Sequence, residues 1–100
     1  MTASIGIWAQ SDLSGDVVLY RWEADDQIGF VAFEVSTLRF RPADASGLVT
    51  GDLMYDGVAS EESGTADGVS RRLFRMVVVS ILRGYRRGGT APATAHAYYF

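Results

Sequence analysis

The sequence predicts an α+β domain: a mostly antiparallel, curled sheet of five or six strands, with one long helix from the C-terminal half packed on one face. Three observations predict it. Between Ser4 and Asp56 the chain breaks into short apolar segments of period two, separated by turns rich in Ser, Gly, Asp and Pro. Val69 to Arg87 (VSRRLFRMVVVSILRGYRR) is instead a long unbroken run, and Ala93 to Phe100 (ATAHAYYF) returns to a strand-like pattern. A chain of 100 residues has room for one modest core, so residues 1–100 form a single domain.

Ser4 to Gln10 (SIGIWAQ) alternates as a first strand, with Ile5 and Ile7 on one face and Trp8 on the other. Ser11 to Asp16 is turn-forming. Val17 to Ala24 (VVLYRWEA) is a second strand, with Val18, Tyr20 and Trp22 opposite Val17, Leu19, Arg21 and Glu23. A short polar connection through Asp25 and Asp26 makes a hairpin with Ile28 to Val35 (IGFVAFEV), whose two faces are both largely apolar, as in a central strand covered on each side. Ser36 and Thr37 turn the chain into Leu38 to Arg41, and Pro42 is expected to end that strand because it has no N–H for a ladder. Leu48 to Asp56 (LVTGDLMYD) reads as a fifth strand weakened by Gly51. Gly57 to Gly68, the most polar stretch, reads as a mobile crossing loop.

Turned at about 100° per residue, Val69 to Arg87 gathers Leu73, Phe74, Val77, Val78, Ile81 and Tyr85 in one arc. Arg71, Arg72, Arg75, Arg83, Arg86 and Arg87 fill the opposite arc. Asp67 is placed as N-cap and Gly88 as the residue after the helix. The β-branched run MVVVSI offers a strand as the rival, which the length of the run disfavours. Val79 stands in the middle of the arginine arc. Either the arginine stems cover it, or it is the centre of a contact patch ringed by guanidinium groups.

Charge is distributed unevenly. Residues 1–67 hold all 12 acidic groups and three arginines, a net of −9, whereas residues 68–100 hold six arginines and no acid, a net of +6. The helix arginines either meet the body's own carboxylates or stay apart from them as a dipolar surface that steers partners. With no cysteine there is neither a disulfide framework nor a thiolate metal site. The opening residues MTASIGIWAQSDLSGD have no signal-peptide pattern, and no apolar run is long enough to span a bilayer, so the expected location is cytoplasmic, away from membranes.

No residue set amounts to a catalytic signature. His96 is the lone histidine, with no nucleophile or orienting acid at a telling spacing and no second soft ligand for a metal. The carboxylates occur in turn-like groups, and no phosphate-cradling glycine loop is present. The chain is therefore read as non-enzymatic, with no cofactor and no metal. A pI near 4.9 and the acidic body argue against nucleic acid as the partner of the arginine helix.

A small, acidic chain without a catalytic set fits a protein whose work is to bind another protein. In size, acidity and α+β layout it resembles the small bacterial immunity proteins, which block a cognate toxin in the cytoplasm. That resemblance implies an acidic surface docking on a basic partner, with strong salt dependence. Two surfaces are candidates for partner binding: the acidic turns with Asp25, Asp26, Glu61 and Glu62, and the helix face with Arg71, Arg72, Arg75, Val79 and Arg83. A homodimer that covers an apolar sheet face is a further expectation. The alternatives are a small-molecule pocket between helix and sheet, lined by Trp22, Phe33, Tyr85 and Tyr98, and nucleic-acid binding through the helix.

Overall fold

The computed structural model describes residues 3–25, 27–65 and 70–99. Six strands follow one another as an antiparallel meander: β1 (Ala3–Ala9), β2 (Val17–Ala24), β3 (Gln27–Glu34), β4 (Arg39–Ala43), β5 (Met54–Asp56) and β6 (Glu61–Ser63). Helix α1 (Arg71–Gly88) then crosses back, and β7 (Thr94–Tyr99) joins the sheet beside β1. The order across the sheet is β6-β5-β4-β3-β2-β1-β7, seven strands rather than five or six.

Alternation decides which face is covered. Ile5, Ile7, Val18, Tyr20, Trp22, Val31, Phe33 and Phe40 point to the helix side and are buried, together with Leu73, Phe74, Val77, Val78 and Ile81 of the helix. Phe33 and Phe40 face each other across β3 and β4 in a stacked pair, centroids 4.3 Å apart, and Tyr85 meets Phe33 edge-on at 5.8 Å. The outer face is mixed: Arg21 and Glu23 pair at 3.4 Å there, and Ile28 is 56% exposed. The central strand β3 is thus covered by the helix on one side, while on the other Ala32 is buried and Ile28 stays open to solvent.

A flat sheet of this width would span roughly 29 Å, and a helix is only about 10 Å across. Nevertheless α1 reaches both edges. Arg71 and Arg75 pair with Glu62 of β6, Arg86 donates to the Gly57 carbonyl in the β5–β6 turn, and α1 packs beside β7. The sheet is therefore curled around the helix, which fills the gap between its two edge strands.

Four sequence expectations change. Pro42 lies inside β4, opposite Val31. Its carbonyl accepts from Thr50 N–H at 2.9 Å, so its nitrogen also faces away from β3 and no β3 ladder bond is lost. Leu48 to Asp56 is a strand only from Met54; Gly51 takes φ +71°, and upstream of it only a Val49–Ala43 bridge remains. Gly57 to Gly68 is not all loop, because Glu61–Ser63 pairs with β5 in a hairpin. The helix N-cap is Ser70, whose hydroxyl accepts from Leu73 N–H, and Gly89 rather than Gly88 takes the left-handed C-cap with φ +78°. Asp67 and Val69 lie outside the described residues. Among the described residues, no helix is long and apolar enough to cross a membrane.

Candidate functional site

On the solvent side of α1, Arg75, Val79, Arg83 and Arg87 recur every fourth residue and so form one stripe along the helix. Val79 remains 38% exposed within it, whereas Leu82 is buried at the β5–β6 side. Beside the stripe runs β7. Its inward residues Ala95 and Ala97 are small, which lets the helix approach closely, and Thr94, His96 and Tyr98 alternate to the other side. Between helix and strand lies a groove. One half, of about 460 Å³, is lined by Arg75, Met76, Val79 and Arg83 against His96, Ala97 and Tyr98. The other half is lined by Ser80, Arg83, Gly84 and Arg87 against Thr94, Ala95 and His96. Among the described residues, the lining includes three arginines and no carboxylate.

Among the described residues, the β7 backbone facing this groove is unpaired. Ala9 N–H donates to the Ala93 carbonyl at 2.9 Å, and hydrogen-bonded pairs in an antiparallel ladder recur at every second residue. Ala95 and Ala97 therefore spend their N–H and C=O groups on β1, and Thr94, His96 and Tyr98 turn theirs to the open edge. Edge strands are ordinarily blunted by charges, proline, bulges or short length. β7 (TAHAYY) has six residues, no charged side chain and no proline.

The arginines separate into two groups. Glu62, whose side chain is 8% exposed, sits 3.5 Å from Arg71 and 3.4 Å from Arg75, and Arg71 also donates to the Gly64 carbonyl at 2.8 Å. Arg86 is tethered to Gly57. Arg83 and Arg87 are exposed and make no ion pair or side-chain hydrogen bond among the described residues. The body's carboxylates thus meet part of the helix face and leave its C-terminal half uncompensated.

The acidic candidates do not form one surface. Glu62 faces the helix, while Glu61 next to it is exposed on the opposite side of β6. Asp25 is exposed in the β2–β3 turn with φ +53°, and Asp26 lies outside the described residues. Asp12 and Asp44 accept hydrogen bonds within their own turns, from Ser14 and Ser46, and Asp52 accepts from the distant Thr65; these bonds hold the three carboxyls below the usual range. Part of the acidic charge is therefore taken up by bonds within the fold.

The expected pocket between helix and sheet is a core. Phe33 is fully buried in its stack, Trp22 lies across Gly29 in the space a side chain would take, and Tyr85 packs on Phe33. Tyr98 is 67% exposed and belongs to the groove instead, its ring 4.8 Å from that of His96. A separate cavity of about 390 Å³ opens at the start of α1, lined in part by Trp22, Pro42, Asp44, Thr50, Ser70 and Phe74. Its lining, among the described residues, has neither a histidine nor a second carboxylate to work with Asp44. Among the described residues, no three His, Asp or Glu side chains converge to hold a metal ion.

The open edge of β7 is absent from the sequence expectations, and its signal in the sequence is a strand with neither charge nor proline following a helix stripe of arginines. No protein-family model matches the chain, and no curated protein or solved structure shows significant similarity to it.

Proposed function

We propose that the chain is a non-enzymatic protein-binding module whose contact surface is the groove between α1 and β7. The observation that carries this reading is the coincidence of two uncompensated arginines, Arg83 and Arg87, with an unpaired strand edge in one groove. Solvent-exposed cations flanking apolar contact area favour encounter with a partner of opposite sign. The acidic body then acts as a long-range filter against nucleic acid, since a chain of net charge −3 repels a polyanion at a distance. The reading keeps the cytoplasmic location expected from the sequence. It moves the contact from the acidic turns to the arginine groove, because Glu62 is taken up inside the fold.

The test compares tagged wild type with two exposed-charge variants, Arg83→Glu/Arg87→Glu and Asp25→Lys/Glu61→Lys, in capture from native lysate under washes of rising salt. The expected result is a stoichiometric protein held by the wild type and the acidic-turn variant, and lost from the arginine variant. Loss from the acidic-turn variant alone would replace the groove by the acidic surface of an immunity-type inhibitor. Retained nucleic acid, released by salt, would replace it by the third reading.

A further inference from the structure

We infer that the α1–β7 groove takes an extended acidic polypeptide segment, which adds to the free edge of β7 as the next strand of the sheet. This rests on the protein-binding reading above and names the chemistry of the partner. Three features select such a segment. The edge supplies N–H and C=O groups of Thr94, His96 and Tyr98 at alternate positions, which only another extended backbone can satisfy as a ladder. That requirement disfavours nucleic acid, whose phosphates would use the arginines and leave the edge unpaired. The arginines in turn disfavour a basic segment.

Spacing makes the inference specific. Successive members of the stripe Arg75, Val79, Arg83 and Arg87 are about 6 Å apart along the helix. Alternate residues of an added strand are about 6.7 Å apart. The groove places Arg75 and Val79 by Tyr98 and Arg87 by Thr94, so helix and strand run side by side in opposite directions. Side chains on the inward face of the added strand therefore meet the stripe one for one. The matching segment carries three acidic residues and one apolar residue at alternate positions, the apolar one opposite Val79 and the acids opposite Arg75, Arg83 and Arg87. Arg75 is shared with Glu62, so the acid opposite it contributes least.

A second copy of the same chain is the other strand that could pair here. Each copy would bring its own Arg83 and Arg87 to the seam, and like charges held close repel. A foreign acidic strand meets no such penalty.

The test is selection from a displayed random-peptide library on the immobilised full chain, followed by amide hydrogen exchange with one enriched synthetic peptide. The expected peptides lack proline and carry acids at alternate positions around one apolar residue. On binding, the Thr94, His96 and Tyr98 amides gain protection, whereas those of Ala95 and Ala97, already bonded to β1, change little. Affinity falls about tenfold or more in Arg83→Glu/Arg87→Glu and in His96→Pro, which deletes an edge donor without touching the β1 ladder. Should His96→Pro fail to fold by circular dichroism, the exchange pattern of the wild type still decides the matter. Enriched peptides that bind without protecting the edge amides would refute strand addition and leave protein binding intact. Failure to enrich any peptide, or enrichment of basic or helix-patterned ones, would refute the acidic strand as occupant. Edge protection that depends only on protein concentration would install the second copy in its place.

Discussion

The hydroxyl of Tyr20, in the middle of β2, donates a 2.7 Å hydrogen bond to the carbonyl of Pro92, 72 residues along the chain. Tyr20 is fully buried, and Pro92 belongs to the turn that sends the chain from α1 into β7. One bond thus ties the strand beside β1 to the connection that positions the groove. Tyr20→Phe leaves the Pro92 carbonyl without this donor and is expected to cost about 1–2 kcal/mol in urea unfolding. Burial also pushes the Tyr20 phenol well above its ordinary value of 10.0. A raised value means that the folded state favours the protonated form. Its contribution is complete below pH 10 and declines as the pH rises beyond it. Titration of phenolate absorbance should show a delayed step in the wild type that Tyr20→Phe lacks. Identical titration curves for the wild type and Tyr20→Phe, apart from amplitude, would contradict the assignment.

Glu62 and its two arginines predict an asymmetry. The carboxylate is largely buried, and its Oε1 has no hydrogen-bond partner among the described residues, while the side chains of Arg71 and Arg75 are 57% and 59% exposed. Glu62→Gln removes a desolvated charge and returns two guanidiniums to water, so stability should change by less than about 1 kcal/mol. Arg71→Ala/Arg75→Ala strands a buried carboxylate and should destabilise by more than Glu62→Gln. Denaturation midpoints of the two variants at the same salt decide the order. Equal losses would mean that the pair is an ordinary surface interaction.

Trp22 lies across Gly29 on the neighbouring strand, so a methyl group at position 29 would overlap its ring. Gly29→Ala is expected to displace the indole and to cost about 1–3 kcal/mol, the usual penalty for overpacking. Trp8 covers Gly6 in the same way on the outer face, so two tryptophans report on two positions. Fluorescence of Gly29→Ala in a Trp8→Phe background isolates the effect. An unchanged spectrum and midpoint would show that the ring is not held there.

The parts of the fold that were legible in the sequence are those with a strong period. In β2 the alternation of Val18, Tyr20 and Trp22 with Leu19, Arg21 and Glu23 sets the buried face, and in α1 Leu73, Phe74, Val77, Val78 and Ile81 do the same. The pieces that were missed are set by tertiary bonds. β6 is three polar residues, Glu61–Ser63, with no apolar alternation to announce it. It is held by pairing with β5 and by the reach of Arg71 and Arg75 to Glu62. Pro42 fits within β4 because its carbonyl and nitrogen face away from β3, a direction set by the pairing and not by local sequence. The arginine face was visible as a pattern, but which arginines stay uncompensated depends on where the β5–β6 hairpin folds back. The groove, likewise, exists because β7 chooses the β1 edge.

Asp52 supplies an acid-sensitive latch for that hairpin. Its Oδ1 accepts from the Thr65 hydroxyl at 2.7 Å and from the Thr65 N–H at 2.9 Å, so residue 65 is pinned next to β5. Hydrogen bonding from the Thr65 hydroxyl, then from its N–H, lowers the Asp52 carboxyl below its ordinary value of 3.8, against a small opposing effect of burial. A lowered value means that the folded state favours the ionised form. The latch is therefore intact above pH 3.8 and released as the pH falls through the lowered value. Release frees the segment whose Gly64 carbonyl holds Arg71, so the hairpin should loosen from α1 before the core does. Amide spectra recorded on descent into acid should show Thr65 shifting together with Asp52, ahead of residues such as Val31 in the core. Asp52→Ala should abolish the Thr65 transition at every pH. A Thr65 amide that moves only with Val31 would mean that the latch has no independent life, and that the hairpin melts with the sheet.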